Sequence, residues 1–303
     1  MTRGFAGLLA AQSLGAFNDN AFKALIALLA LTTLPPERSA PLVAAAGACF
    51  VLPFILFYPL AGDLADRMRK RSLLVWLKAV EVVLMALTAV LLSTGSIAVL
   101  LGLLFLLGAH SAFFGPVKLA ILPEILEEGD LSRGNGLMQM SAFFGILMGT
   151  VAAGLLMERL GGRLAWASVL FTGVAVLGLL ASLLIPDPEP AAAGPLRWNP
   201  VSQTCDNLVA VRAMRGVWLS TVGAAYFWFL GAIFQMNVLV YGRDLMAAGP
   251  STLSVFQVVV ALGIGLGSYA AGRLSRDTVE LGLVPLGAAG LLLFSSVLDF
   301  SFH

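Results

Sequence analysis

An acid, a base and two amides interrupt the apolar stretch GAFNDNAFKALIALLA, and these are Asn18, Asp19, Asn20 and Lys23. Gln12, Asp19 and Lys23 fall on one stripe of a helix, because their spacings of seven and four residues match helical turns. Asp19 and Lys23 are also placed to form an ion pair, which lowers the cost of burying either charge. The stripe predicts a polar wall of an internal cavity. An ion pair that only fixes this helix to its neighbours is the alternative.

Single polar or charged residues interrupt other apolar stretches. Lys118 follows a Gly-Pro pair that loosens a helix, and it predicts either a phosphate contact or a lysine that extends its amine to the membrane surface. His110 favours a neutral, hydrogen-bonded packing residue over a proton relay. Lys78 and Glu81, three residues apart, predict an ion pair within one helix and no contact with a ligand.

Two amides, Gln235 and Asn237, share a later apolar stretch, where they predict hydrogen bonds to a ligand or to another helix. Cys49 lies in apolar and Cys205 in polar surroundings, which indicates neither a disulfide framework nor a metal site. The sequence offers neither the glycine spacing of a phosphate-binding loop nor a catalytic triad. These observations predict a protein that is not an enzyme and uses no cofactor or metal.

The composition indicates what kind of chain must position these residues. Of its 303 residues, 59% are hydrophobic and 12% are charged, about half the charged fraction of a soluble domain. The mean hydropathy is +0.94, and apolar runs of about 18 or more residues recur along the chain. The expected fold class is an all-α polytopic membrane protein. A net charge of +1 gives no indication of a nucleic-acid partner.

Nine candidate spans are predicted, at 6–33, 41–61, 73–93, 97–117, 136–157, 164–185, 216–240, 252–271 and 281–300. Turn-forming residues separate them. Six spans precede a Pro-rich segment whose second half has the pattern of a surface helix. The expected organisation is a six-helix bundle at 1–185, a cytoplasmic linker at 186–215 and a partial bundle of about three helices at 216–303.

The distribution of Lys and Arg predicts the orientation in the membrane. With the N-terminus inside, twelve of the 18 basic residues lie on the cytoplasmic side. The basic residues on the other side are Arg38, Arg159, Arg163 and Arg243. The N-terminus and the linker are therefore expected in the cytoplasm.

A short repeat indicates that the two parts of the chain are related. AGDLADR (61–67) ends the second span of the first part, and AGRLSRD (271–277) ends the second span of the second part. Repeats of the same topology, related by an axis along the membrane normal, are a common transporter design. The repeat therefore favours a transporter built from two similar halves.

The segment GDLADRMRKR (62–71) resembles the loop signature between helices two and three of the major facilitator superfamily. The matching residues are Gly62, Leu64, Ala65, Asp66, Arg67, Lys70 and Arg71, while Arg69 stands where the signature has glycine. In that superfamily the acid and the arginine bridge to the opposite half and hold one gate closed. The resemblance implies a gating motif of Gly62, Asp66, Arg67, Lys70 and Arg71.

Three stretches resemble the lysophospholipid transporters of that superfamily, including forms fused to acyl-ACP synthetase and acyltransferase domains. They are QSLGAFNDNAFKAL (12–25), FFGPVKLAILPEIL (113–126) and GNGLMQ (134–139). The resemblance implies movement of lysophospholipid, chiefly lysophosphatidylethanolamine, across the bacterial inner membrane for re-acylation. Acyltransferase domains and membrane lipids are the implied partners. The superfamily fold has twelve helices, so the chain looks truncated at its C-terminal end.

The same resemblance suggests roles for the polar residues. Asp19 would meet the amine of a zwitterionic head group, and Lys23 and Lys118 would meet its phosphate. The implied binding set is Gln12, Asn18, Asp19, Asn20, Lys23, Lys118, Gln139, Gln235 and Asn237. Related transporters can have a basic residue near Gln235 that pairs with the first-helix acid. Its absence here leaves Lys23 as the nearer candidate partner of Asp19.

Two other functions are compatible with the sequence. One is proton-coupled export of a small amphiphile, with Asp19 as the proton site. The other is a membrane anchor that holds acyltransferases at the bilayer without transporting, which the missing helices favour. A reading frame that continues beyond His303 into three more helices would restore the transporter, and a stop there would favour the anchor.

Overall fold

Helices make up most of the described chain, and no strand occurs in it. The computed structural model describes residues 2–160, 163–187, 199–244, 246, 250–275 and 282–300, apart from certain side chains within helices. The α-helices are α1 (Arg3–Thr33), α2 (Pro36–Arg67), α3 (Lys70–Ser93), α4 (Ile97–Ala120), α5 (Leu122–Ile125), α6 (Leu131–Leu160), α7 (Ala167–Ser182), α8 (Pro200–Ala213), α9 (Arg215–Asp244), α10 (Pro250–Leu274) and α11 (Leu283–Phe300). The expected all-α class is confirmed.

Six helical segments in the described ranges are long and apolar enough to cross a membrane. They are Arg3–Thr33, Glu37–Arg67, Lys70–Ser93, Ile97–Ala120, Glu128–Leu160 and Leu164–Ser182, and they coincide with the six spans predicted for the first part of the chain. α2 runs on to Arg67, nearly two turns beyond the predicted end at 61, and α4 runs on to Ala120, just under one turn beyond the predicted end at 117. The difference arises because hydropathy marks the length that lies in hydrocarbon and not the full hydrogen-bonded helix.

The connection between α3 and α4 is a tight turn that depends on glycine. Gly95 has a φ of 64°, in the left-handed region, which costs a residue with a Cβ roughly 1–2 kcal/mol. The turn coincides with the break predicted at 93–96. It makes α3 and α4 consecutive antiparallel helices.

α1 lies at the centre of the first part of the chain and packs against α2, α4, α6 and α7. Its contact with α6 is close because Gly145 approaches the backbone of Ser13, and Gly149 that of Phe17. Small residues at helix contacts are the usual means of close packing in lipid, where apolar burial provides little drive for association. α1 is thereby fixed in position, together with the polar side chains that it carries.

The buried core has two apolar clusters. One includes Phe22, Met85 and Leu104, and the other includes Leu8, Leu74, Phe114 and Ile121. Along α1, α3 and α4 the two clusters are separated by a short polar interval, which contains Gln12, Asn18, Asp19, Lys78, Glu81 and His110, all of them buried. The candidate residues therefore occupy a polar layer between two apolar layers.

Large apolar side chains cover the outside of the helices. Ile55 is 72% exposed and Trp76 63% exposed, although both are large apolar side chains. Apolar residues facing outward are the expected surface of a span, because lipid tails are as apolar as these side chains.

The part of the chain after α7 contains a surface helix and then longer helices. α8 begins at Pro200 and is preceded by the N-cap residue Asn199, whose side chain accepts hydrogen bonds from the backbone N–H groups of Val201 and Ser202, as N-cap residues do. Most of its residues are exposed, and it lies where a surface helix was expected. α10 packs against α6 and α9. The division into 1–185, 186–215 and 216–303 stays a prediction.

Candidate functional site

A buried ion pair forms the centre of the polar layer. Lys78 Nζ lies 2.6 Å from Glu81 Oε2, and both side chains are almost completely buried, so the predicted pair within α3 is confirmed. The other carboxylate oxygen, Oε1, accepts a hydrogen bond of 3.0 Å from the side-chain amide of Asn18. The same amide donates to the backbone carbonyl of Phe171 at 3.2 Å. The pair therefore joins α3 to α1 and α7 and does more than stabilise its own helix.

Two glycines leave the space that Lys78 occupies. A Cβ added at Gly15 would stand 2.6 Å from Lys78 Nζ, and one at Gly178 would stand 3.7 Å from it. The first distance is too short for any side chain unless the lysine moves, and the lysine is fixed by its contact with Glu81. Gly15, the first residue of the stretch GAFNDNAFKALIALLA, therefore leaves room for the ion pair on α3.

Asp19 lies next to this pair but contacts a different helix. The hydroxyl of Ser111 on α4 donates a hydrogen bond of 2.5 Å to Asp19 Oδ2. Asp19 is 8% exposed, and its second oxygen, Oδ1, is buried without a hydrogen-bond partner. The carboxyl group is therefore held by one donor only.

The ion pair predicted between Asp19 and Lys23 is not present, since no contact within 4.0 Å joins them among the described ion pairs. Lys23 Nζ instead lies 5.1 Å from the centre of the Phe50 ring on α2, in a cation–π arrangement. The prediction was wrong because it considered only neighbours on one helix. Ser111 and Phe50, on α4 and α2, provide the contacts that decide the two side-chain positions.

His110 is buried and hydrogen-bonded, as predicted. Its Nε2 lies 3.0 Å from the backbone carbonyl oxygen of Leu77 and 4.0 Å from Glu81 Oε2. A carbonyl oxygen only accepts, so Nε2 carries the hydrogen and Nδ1 of the neutral ring is an acceptor. That Nδ1 atom is buried without a partner.

Phe114 connects the polar layer to Lys118. Its ring centre lies 4.6 Å from Lys78 Nζ and 5.8 Å from Lys118 Nζ, and the ring stacks on His110 with centroids 6.4 Å apart. One ring thus contacts a buried, ion-paired lysine and a second lysine that is only half-buried. The face of an aromatic ring attracts cations, so Phe114 helps to place both ammonium groups.

Lys118 reaches a polar cavity of about 380 Å³ between α1, α4, α6 and α10. Its lining comprises Gln12, Lys118, Leu119, Ser132, Asn135, Gly136, Met138, Gln139, Ser268, Ala271, Gly272 and Ser275. Three residues predicted to bind a ligand, Gln12, Lys118 and Gln139, meet there. The cavity offers one ammonium group among amides, hydroxyls and apolar side chains, and the ammonium group and the amide N–H groups are donors that an anion can accept from.

The remaining predicted residues lie elsewhere. Asn18, Asp19 and Lys23 are absent from this lining. Asn20 donates to the carbonyl oxygen of Ala16 on its own helix, at 2.9 Å, so the structure gives it a local partner. The side chains of Gln235 and Asn237 fall outside the described residues. Within the part of the chain that is described, no group of three metal-ligating side chains occurs.

Two glycines bring α6 and α10 together beside the cavity. A Cβ added at Gly136 would stand 2.6 Å from the carbonyl oxygen of Ser268, and one at Gly272 would stand 2.8 Å from that of Ser132. Both close approaches are to backbone atoms, which do not move aside. The first part of the chain therefore meets α10 through backbone contact at the cavity wall.

The predicted gating motif makes its contacts within the first part of the chain and just after it. Lys70 Nζ lies 2.5 Å from Glu124 Oε1 on α5, Arg71 donates to the Leu183 carbonyl at 3.2 Å, and Arg69 lies 2.8 Å from Asp187. Arg67 pairs with Asp63 of its own helix at 3.0 Å.

The other two members of the motif are less constrained. Asp66 is exposed, and a Cβ added at Gly62 would meet nothing within 4 Å. The bridge from Asp66 and Arg67 to the opposite half stays a prediction. The basic residues that follow them instead fasten the loop between α2 and α3 to the ends of α5 and α7.

Sequence reasoning missed the residues contributed by distant helices. Ser111 stands next to His110 in the sequence, and this polar pair inside an apolar run was the available signal. Ser268, Ala271, Gly272 and Ser275 overlap the repeat AGRLSRD or lie one turn before it. Their position at the wall of the cavity follows only from the packing of α10 on α6.

A sequence profile and individual relatives among known proteins agree on the family to which the chain is similar. The sequence profile of the Major Facilitator Superfamily matches residues 6–301. The lysophospholipid transporter LplT of Escherichia coli O6:K15:H31 (strain 536 / UPEC) is 31% identical over 99% of this chain and 72% of its own length. LplT of Yersinia pestis (strain Pestoides F) is 30% identical over 90% of this chain and 65% of its own length.

A solved structure shows the same fold. The POT family transporter PepTSo superposes with a TM-score of 0.54 at 17% identity, over 94% of this chain and 56% of that one. The present chain thus spans a little over half of the length of that structure. At this identity the likeness concerns the fold alone. The profile match and the two sequence relatives place the chain in the major facilitator superfamily and, within it, in the family of the lysophospholipid transporters.

Proposed function

We propose that the protein transports lysophospholipid, of the lysophosphatidylethanolamine type, across the bacterial inner membrane for re-acylation. The proposal is supported by the relatives that carry the name lysophospholipid transporter and by the polar cavity between α1, α4, α6 and α10. The activity proposed is transport, with no bond made or broken in the lipid, so the protein is not expected to be an enzyme.

The single observation that carries the proposal is the position of Lys118. Its ammonium group lies on the Phe114 ring and lines a cavity that also contains Gln12 and Gln139. A lysophospholipid head group presents a phosphate, which an ammonium group and amide N–H donors bind well. Lys118 is then the residue that contacts the phosphate, and the two amides add hydrogen bonds.

The amine of the head group would be received deeper in the protein. Asp19 Oδ1 is buried without a donor, and an ammonium group would supply one. Because Asp19 does not line the cavity in this arrangement, the amine reaches it only after the helices around the cavity move. Movement of two helix bundles about a central site is the usual mechanism of such transporters.

The proposed location follows from the charge distribution. The predicted topology assigns twelve of the 18 basic residues to the side of the N-terminus, a distribution that favours a cytoplasmic N-terminus. The cavity lies toward that side, since Lys118 and Ser132 stand close to the ends of α4 and α6. Cytoplasmic acyltransferases are the partners expected to use the lipid that arrives there.

The proposal is tested with the purified chain in lipid vesicles. Labelled lysophosphatidylethanolamine is added to the outer leaflet, and the fraction protected from extraction by albumin is followed with time. Protein-free vesicles and a monoacylglycerol of the same chain length serve as controls, because the second lacks the phosphate. Faster protection of the lysophospholipid alone supports the proposal. Equal rates with and without protein contradict it.

A further inference from the structure

His110 is a buried ring on α4 that the proposed transport function leaves without a role. It is 6% exposed, and its Nε2 atom donates a hydrogen bond of 3.0 Å to the backbone carbonyl oxygen of Leu77 on α3. Leu77 lies inside α3, where a carbonyl oxygen already accepts from the N–H group four residues later. The hydrogen bond is therefore not needed by α3. It fixes the imidazole ring in position against that helix.

The imidazole ring lies against Phe114, one helical turn further along α4. The two ring planes are inclined by 23°, and their centroids are 6.4 Å apart, which is an offset-stacked arrangement of aromatic rings. Phe114 is 7% exposed, so the stack is enclosed by the protein. A phenyl ring has no hydrogen-bonding atom, and its orientation depends on the surfaces around it. His110 supplies one such surface, held in place by the hydrogen bond to α3.

The stack continues along α4 to the lysine at the cavity. His110, Phe114 and Lys118 follow one another at intervals of four residues, and residues four apart are neighbours on one helix face. Lys118 Nζ lies 5.8 Å from the centre of the Phe114 ring, within the range of a cation–π contact. The three side chains therefore form one stripe, which runs from the hydrogen bond on α3 to the ammonium group that lines the cavity.

The buried end of this stripe is held more firmly than its end at the cavity. Lys78 Nζ lies 4.6 Å from the centre of the Phe114 ring and is itself bonded to Glu81. His110 Nε2 lies 4.0 Å from the same carboxylate. The Phe114 ring is thus contacted by two groups that are both fixed to α3, whereas Lys118 faces the cavity and has room to move. The orientation of the ring then decides where the Lys118 ammonium group rests.

We propose that His110 is a positioning residue, which holds the Phe114 ring in the orientation that directs the Lys118 ammonium group into the cavity. The inference rests on the function proposed above, in which Lys118 contacts the phosphate of the lipid. A histidine suits this role because it combines a flat aromatic surface with an N–H donor. Phenylalanine would stack without a hydrogen bond to α3, and glutamine would donate without stacking. A residue that only fills space would need neither property.

The position of the ammonium group is tested by NMR, without any measurement of transport. Accessible lysine amines of the purified protein are methylated with isotope-labelled formaldehyde, a modification that keeps their charge. The Lys118 resonance is identified by its loss in Lys118→Arg. A nearby aromatic ring shifts such a resonance, so Phe114→Leu gives the position expected without the ring. His110→Leu should move the resonance towards that position, and His110→Phe, which restores a flat ring, should leave it in place.

Two results of the NMR experiment would overturn the inference. One is an unmoved Lys118 resonance in His110→Leu, which would show that Phe114 keeps its orientation without the imidazole. The other is an equal shift in His110→Phe and His110→Leu, which would show that the stacked ring is not what holds Phe114. If His110→Leu does not accumulate in the membrane, His110→Gln takes its place, because it keeps a donor for the Leu77 carbonyl and removes only the ring.

The consequence for transport is tested in vesicles with lysophosphatidylethanolamine. His110→Leu should raise the KM about two- to fivefold, the factor that corresponds to a cation–π contact at a partly exposed site, with little change in the maximal rate. His110→Phe should restore the KM. Leu104→Ala, at a buried position of the other apolar cluster, is the control, since it should lower the unfolding temperature and leave the KM unchanged.

An unchanged KM in His110→Leu would overturn the role in transport. A KM that rises equally in His110→Leu and Leu104→Ala would also overturn it, because the effect would then follow from lost stability alone. If the unchanged protein does not transport the lipid, the proposed function fails, while the NMR resonance still decides whether His110 positions Lys118.

Discussion

Two lysines on either side of one aromatic ring have opposite surroundings. Lys78 is completely buried, bonded to Glu81 and enclosed by Gly15 and Gly178, whereas Lys118 is half-buried and faces a cavity. The first has no room for a ligand, and the second has no carboxylate within 4.0 Å among the described residues. Charges inside a membrane protein are costly and need a reason, which is stability for Lys78 and, in our proposal, ligand binding for Lys118.

The difference separates a role in stability from a proposed role in binding on the two sides of one aromatic ring. A buried ion pair joined to three helices resists the loss of either member, because the remaining charge is left without a partner. Removing the charge of a lysine that faces a cavity should cost the protein little stability, because water or a ligand, and not a buried carboxylate, supplies the hydrogen bonds of that lysine. The following substitutions test this separation, from the largest expected effect to the smallest.

Glu81→Gln should destabilise the protein by about 3–5 kcal/mol, because Lys78 would keep its charge without a carboxylate. The loss should appear as a lower unfolding temperature in detergent and a lower yield from membranes. Glu158→Gln is the matched control, since Glu158 is exposed on α6. The double change Lys78→Met with Glu81→Leu should recover much of the loss. Equal stability of Glu81→Gln and Glu158→Gln would show that the protein does not need the buried ion pair for its stability.

Gly136→Val should destabilise the contact between α6 and α10 by about 1–3 kcal/mol, the usual cost of overpacking. The added side chain would meet the backbone of Ser268, which is 2.6 Å from an added Cβ. Gly154→Val on the same helix is the control, because a Cβ there meets nothing within 4 Å. Lipid transport in vesicles should fall in the first variant only. Similar unfolding temperatures for both variants would contradict this prediction, because they would mean that α6 and α10 can move apart to accommodate the valine at little cost.

Phe114→Leu should cost about 1–2 kcal/mol, because the ring supplies a cation–π contact to a desolvated lysine. Transport should also weaken through a higher KM, since Lys118 loses the surface on which it rests. Phe144→Leu, at a side chain that is 59% exposed, provides the comparison. A Phe114→Leu variant with unchanged stability and KM would contradict the proposed link between the two lysines.

Gly62→Ala should have the smallest effect on stability. A Cβ at this position meets nothing within 4 Å, and alanine is favoured over glycine inside a helix by about 0.5–1 kcal/mol. The unfolding temperature should therefore stay the same or rise slightly. If transport falls markedly while stability is unchanged, glycine is required at this position in another conformation of the transport cycle, as the gating motif implies. A large loss of stability would contradict the open space seen here.

The sequence predicted the helices well and their contacts poorly, for a physical reason. Hydropathy is a property of each segment, so the six spans of the first part and the break at Gly95 could be read locally. The Lys78–Glu81 pair was also local, being three residues apart on one helix. Asp19 and Lys23 were equally close, yet Ser111 and Phe50 contact them instead, and neither could be found without the packing of α1 against α4 and α2.

The candidate site also shows that single residues could be selected from the sequence, whereas the contacts that bring them together could not be predicted. Gln12, Lys118 and Gln139 were selected from separate stretches, and the structure brings them to one cavity. Asn135 and Ser268 were not selected, because isolated polar residues near helix ends are common and give no signal alone. Their meeting depends on the glycine contact between α6 and α10, which is a property of the assembled helices.

The most direct test of the central claim compares Lys118→Met with Lys78→Met in one preparation, with unfolding temperature and lysophosphatidylethanolamine transport measured for each. Lys118→Met should keep its stability within about 0.5 kcal/mol and lose most of the transport. Lys78→Met should lose about 3–5 kcal/mol of stability, because it leaves Glu81 unpaired. Normal transport by a stable Lys118→Met variant, or full stability of Lys78→Met, would contradict the account.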